Sequence, residues 1–208
     1  MNWYTIGSFT FPASWAAIVI SFLLTGMILR LLFKKHSIVD LYGNAVFIFI
    51  IIWKLSIVIF DFKTSISNPM TIVYFHGGLK GYWLGIMTVC IYLIYICYKK
   101  HCFYQEKAIM VFAWMMTVSI YELGVGLLNG YALWFVGFQT IVNTTMLIWL
   151  KQKLQDLQWL VQLLILFTMF QVFFYSIRHE LLTVPVFTFI IVAAALLCYL
   201  FYRRENNE

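Results

Sequence analysis

The sequence predicts an all-α, polytopic membrane protein of seven transmembrane helices, and three observations predict it. Of 208 residues, 63% are hydrophobic and only 11% charged, with a mean hydropathy of +0.90. A soluble domain needs more polar surface than this chain can supply. Apolar windows of roughly 20 residues, the length that crosses a hydrocarbon core, recur at 13–33, 42–60, 81–98, 107–128, 131–150, 157–176 and 184–202. Basic residues cluster between alternate windows. The length accommodates one integral membrane domain over residues 1–208, with no linker, low-complexity tract or internal repeat.

The first window lacks a basic segment before it and a small-residue cleavage site after it, so it reads as a retained helix. The fourth and fifth windows are separated only by "LLNGY", which leaves six spans with a broken one as the alternative count. Arg30, Lys34 and Lys35 follow the first helix, and Lys99, Lys100 and Lys107 flank the loop after the third. Lys151 and Lys153 follow the fifth, and Arg203 and Arg204 follow the last. These ten of the fourteen basic residues share one side if the helices alternate. The positive-inside rule makes that side cytoplasmic, with the N-terminus outside and the C-terminus inside. The net charge of +6 is thereby an orientation signal, and no nucleic-acid partner is needed to explain it.

The other four basic residues, Lys54, Lys63, Lys80 and Arg178, fall on the outer side in this topology, with Asp61, His76, Glu122, Asn129, His179 and Glu180. An ionisable group inside a bilayer costs roughly 2.5–3.5 kcal/mol, so such groups pair or line a cavity. Lys54 and Glu122 lie deepest. They read as a structural ion pair, or with Lys54 snorkelling toward the surface, or as the wall of a polar pocket open to the outer leaflet.

Just before the third helix stands "YFHGGLKGYW", Tyr74 to Trp83, after an Asn68–Pro69 turn signal. Its glycines Gly77, Gly78 and Gly81 suit close helix packing or an irregular backbone. His76 is either an interfacial anchor or a base, since imidazole titrates near neutral pH. The aromatic residues beside it suit headgroup depth. The four cysteines, Cys90, Cys97, Cys102 and Cys198, form no CxxC and read as free thiols. No HExxH, GxGxxG, phosphate-binding loop or GxSxG is present, and no metal site is predicted.

The segment "FHGGLKG" resembles the His-Gly-Gly-Leu-x-Gly segment of bacterial prolipoprotein diacylglyceryl transferases. Upstream, "IGSFTFPASWAAIVISF" is similar to that family's opening segment and first helix, and "DLYGNAVFIFIIIWKLSIVIFDF" to its second, with Lys54 about where the family carries an arginine. Downstream, "GVGLLNG" stands where the family has its glycine- and asparagine-rich signature, and "YSIRHE" resembles its late arginine segment. The resemblance implies seven spans in a bacterial plasma membrane, a site facing the outer leaflet, and no metal or soluble cofactor. It implies transfer of a diacylglyceryl group from phosphatidylglycerol to the thiol of a lipobox cysteine in a preprolipoprotein.

Carried over by position, His76 and Arg178 become the candidate catalytic residues. Lys54, Gly77, Gly78, Asn129 and Gly130 become candidate substrate contacts with them, and two outer-side charges join these, Lys80 to help hold the phosphate and Glu122 to orient a base or balance Lys54. The pattern departs at three positions: the signature's arginine falls on Leu123, its first asparagine on Gly126 and its terminal glutamate on Tyr131. An arginine forms a planar bidentate fork to phosphate that leucine cannot replace. The alternative expectation is therefore a non-catalytic lipid- or lipoprotein-binding protein, or an accessory subunit. A small transporter ranks third, because no pair of broken helices recurs in matching halves.

Overall fold

The computed structural model describes residues 2–6, 9–33, 36–62, 77–100 and 104–201. Two short strands come first, β1 (Trp3–Ile6) and β2 (Phe9–Pro12), paired antiparallel with Trp3 opposite Pro12 and Ile6 opposite Phe9. Among the described residues seven helices follow: α1 (Ala13–Phe33), α2 (His36–Phe60), α3 (Gly78–Lys100), α4 (Tyr104–Leu128), α5 (Leu133–Gln152), α6 (Leu157–Ile177) and α7 (Val184–Phe201). Each is long and apolar enough to cross a membrane. The predicted all-α, seven-helix class is what the structure has. The hairpin was not expected, although its Trp, Tyr, Thr, Ile and Phe residues favour extended backbone. The chain divides into two compact units, residues 1–39 with 103–200, and residues 40–102 with 201–208.

In the first unit α4 packs against α1, α5 and α6. It has 56% of its span buried, against 22% for α1, so α4 is the core helix of this unit. In lipid no hydrophobic drive separates helix from solvent, so helices associate through close backbone approach and polar contacts. α1 meets α4 in that way: it buries Ala13, Ala17, Ser21, Thr25 and Leu29, one residue in four along a single face. A methyl group at Gly124 of α4 would stand 3.2 Å from the Ala17 side chain, and Thr117 donates to Thr25 at 3.2 Å. Further along, the aromatic core is built edge to face from Trp114 on Phe167 and from Phe135 on Phe174. α6 starts at Asp156, whose carboxylate accepts from the backbone N–H groups of Gln158 and Trp159.

The second unit contains α2 and α3. Gly77, Gly81 and Gly85 stand four apart and face Phe49, Trp53 and Ser56 of α2. The Gly77 N–H donates to the Trp53 carbonyl at 3.2 Å, and the Trp53 indole donates to the Gly78 carbonyl at 3.2 Å. Gly78 opens α3 with φ +59°, a backbone that glycine adopts without strain. A Cβ at Gly81 would lie 1.9 Å from the Ser56 hydroxyl and 3.2 Å from the Trp53 carbonyl oxygen. Gly81→Ala is therefore expected to cost about 1–3 kcal/mol by overpacking. Removing the hydroxyl with Ser56→Ala in the same chain should recover part of that. Thermal unfolding in detergent checks both; an unperturbed single variant would show that the helices do not meet there.

Candidate functional site

The site grows from two helix ends in the first unit. α4 closes through Gly130, at φ +70°, with Gly130 N–H donating to Leu127 and Tyr131 N–H donating back to Gly126. α6 closes in the same manner through His179, at φ 56°: His179 N–H donates to Ser176 and Glu180 N–H to Tyr175. In both, a left-handed residue turns the chain and its successor satisfies a carbonyl of the last turn. The two successors, Tyr131 and Glu180, are close enough to act on one another electrostatically. Burial, and then the charge of Glu180, push the Tyr131 phenol above its ordinary range.

Beneath this pair lies Arg178, the residue that caps α6. Its side chain is 8% exposed and ion-paired with Glu122 of α4, Nη2 to Oε2 at 3.1 Å. The same Nη2 donates to Gln139 of α5 at 2.5 Å. Three rings surround the guanidinium, with centroids 4.8 Å (Tyr131), 5.1 Å (Phe135) and 5.0 Å (Tyr175) from Cζ. Each such contact attracts a cation to the ring face. Glu122 is 2% exposed and takes two further hydrogen bonds, from the Tyr175 hydroxyl at 2.8 Å and from Gln139 Nε2 at 3.2 Å. Gln139 Nε2 also donates to Gln171 at 3.3 Å, and Gln171 donates to Asn143 at 2.8 Å. A continuous run of buried polar side chains thus extends from the end of α6 into the span.

One part of this network is unmet. Arg178 Nε and Nη1 are buried and have no hydrogen-bond partner. A buried donor without an acceptor costs roughly 1–3 kcal/mol, more when charged. Nη2, by contrast, has both its hydrogens engaged. Each edge on which a guanidinium makes paired hydrogen bonds includes Nη2, so a bidentate ligand has to displace Glu122 or Gln139 from it.

The structure brings Glu122 and Arg178 together, and the counter-charge of Glu122 is Arg178. Asn129 and Gly130 belong to the same turn, each with a structural task. The Asn129 Oδ1 accepts from the Asn2 backbone at 3.0 Å, and Asn2 and Tyr4 donate to the Leu128 carbonyl, which ties β1 to the end of α4. Lys54, Gly77, Gly78 and Lys80 belong to the second unit. Lys54 is half-buried in the last two turns of α2, and Lys80 is exposed, its ammonium 5.8 Å from the Phe60 ring. His76 and Lys63 lie outside the described residues. Cys90 and Cys198 are free thiols, and no group of metal-binding side chains occurs among the described residues.

Gln139, Asn143, Gln171 and Tyr175 were not singled out from the sequence. Their signal was there: Gln139 and Asn143 are four apart on α5, while Gln171, Tyr175 and Arg178 fall on one face of α6. Compared with protein-family models, curated proteins and solved structures, the chain matches none. The family resemblance accordingly rests on the motifs quoted above.

Proposed function

We propose that this chain is a membrane-embedded diacylglyceryl transferase of the prolipoprotein diacylglyceryl transferase type. The observation that carries the proposal is the buried Arg178 guanidinium with Nε and Nη1 unmet, at the helix end adjoining the Asn129–Gly130 turn. Such a group suits the phosphate of phosphatidylglycerol, and the quoted motifs supply the reaction. The thiol of a lipobox cysteine gives its proton to a base, for which His76 is the candidate. The thiolate attacks the terminal glyceryl carbon, a C–S bond forms, the C–O bond to phosphate breaks, and glycerol phosphate leaves. Cationic groups at the phosphate stabilise that departure. The site in this reading faces the outer leaflet of a bacterial plasma membrane. Purified protein supplied with phosphatidylglycerol and a lipobox peptide should yield the thioether. No product, where an authentic transferase works, would overturn the proposal.

A second reading is a non-catalytic lipid- or lipoprotein-binding protein. It is favoured by Glu122, which already neutralises Arg178, and by Leu123 in place of the signature arginine. Binding of phosphatidylglycerol with no thioether product marks that outcome. The orientation has its own test. In a background free of other cysteines, Lys63→Cys is expected to label with an impermeant thiol reagent from outside, and the native Cys102 only from inside. The reverse pattern overturns the outward-facing site.

A further inference from the structure

We infer that the Arg178–Glu122 pair is a proton-linked anion site: an oxyanion takes a guanidinium edge whose Nη2 hydrogen is now held by Glu122 or by Gln139, and Glu122 takes up one proton. This rests on the reading of Arg178 as a phosphate-binding group and adds how its charge is managed. In the structure the Arg178 and Glu122 charges cancel. A ligand held only at Nε or Nη1 makes single hydrogen bonds, whereas a paired contact requires Nη2. Displacing Glu122 leaves two negative charges sharing one cation between aromatic walls, and an uncompensated buried charge is strongly disfavoured.

The surrounding groups offer little alternative compensation. From α6, Glu122 meets Arg178 and the Tyr175 hydroxyl; from α5, it meets neutral Gln139. The buried residues of α1, Ala13, Ala17, Ser21, Thr25 and Leu29, include no ionisable group. Tyr121 on α4 acts electrostatically on Tyr175 but is itself an acid, and α7 contributes the Phe189 ring against Tyr175. At the rim stand Glu180 and Tyr131, neither of which is a cation. A proton on Glu122 restores neutrality whichever of the two Nη2 contacts the ligand takes. The balance is simple: one solvent proton joins one carboxylate as one oxyanion binds, with no redox change.

Titration calorimetry on purified protein, repeated in buffers of different ionisation enthalpy, counts that proton. Two phosphodiester probes suit it, short-chain phosphatidylglycerol and glycerophosphoglycerol, because neither carries a proton that titrates near neutral pH. The expected result is close to one proton taken up per anion. Affinity should then fall about tenfold per pH unit while the free site's Glu122 is ionised. Binding of the lipid alone shows that the acyl chains contribute; binding of both shows that the headgroup suffices. Glu122→Gln should bind more tightly, with no proton uptake and no pH dependence. If that variant does not fold, the stoichiometry of the unmodified protein decides. Zero proton uptake overturns the inference, as does unchanged uptake in Glu122→Gln or the binding of neither probe. Proton-linked binding without thioether product removes the transferase reading and leaves this one standing. Product formation with no proton uptake does the reverse.

Discussion

Arg178→Met is expected to destabilise the protein by about 3–5 kcal/mol, because it takes the counter-charge from a buried carboxylate and leaves Glu122 to bear its charge alone or to take up a proton. The Glu122 carboxylate is 2% exposed and lies 3.1 Å from the guanidinium, so water cannot take over. Replacing both, with Glu122→Gln and Arg178→Met, removes the charges and keeps an amide beside Gln139 and Tyr175. The double variant should recover most of the loss, since a buried ion pair exchanged for neutral groups of similar volume is often near neutral in stability. Equilibrium unfolding of the four proteins in detergent gives the coupling directly. A double variant as unstable as Arg178→Met would mean that the pair is not the reason for the loss. Under the transferase proposal, the recovered double variant is folded and makes no thioether.

His76→Ala should separate function from fold in the opposite direction. As a general base it contributes roughly 10²–10⁴-fold to turnover, while its removal from an interface sacrifices little apolar burial. The expected result is a loss of that size in thioether formation with an unchanged unfolding midpoint. An anchoring histidine gives the reverse, a lowered midpoint and near-normal turnover per folded molecule, and that outcome removes His76 from the mechanism.

The helices were legible because hydropathy over about 20 residues is a property of composition, and lipid requires it. α1 matches its apolar window at both ends. α2 begins at His36, several residues before its window, because polar residues such as Asp40 and Asn44 lower hydropathy without interrupting backbone hydrogen bonds. The hairpin escaped a search tuned to long apolar runs, although Gly7–Ser8 between two strand-favouring segments is a two-residue turn signal. At the site, the sequence indicated that Glu122 needed a partner at its own depth. It could not select Arg178, 56 residues away, over Lys54, because that choice depends on which faces of α4 and α6 meet. The glycines of "HGGLKG" show a related limit. Their spacing suited packing and substrate approach equally, and the nearness of Ser56 gives Gly77 and Gly81 a packing role.

The four-residue repeat of small side chains on α1 bears on how the protein is made. Its partner face on α4 is encoded far downstream: Thr25 and Thr117 are 92 positions apart. At translation rates of about 5–20 residues per second, α1 spends roughly 5–20 s in the bilayer before α4 emerges. During that interval its Ser21 and Thr25 hydroxyls face lipid or whatever the insertion machinery offers. Ser21 meets that wait by donating to the Ile18 carbonyl of its own helix, at 2.7 Å. The first helix thus carries a surface that is smooth enough to wait alone and shaped for a neighbour not yet synthesised.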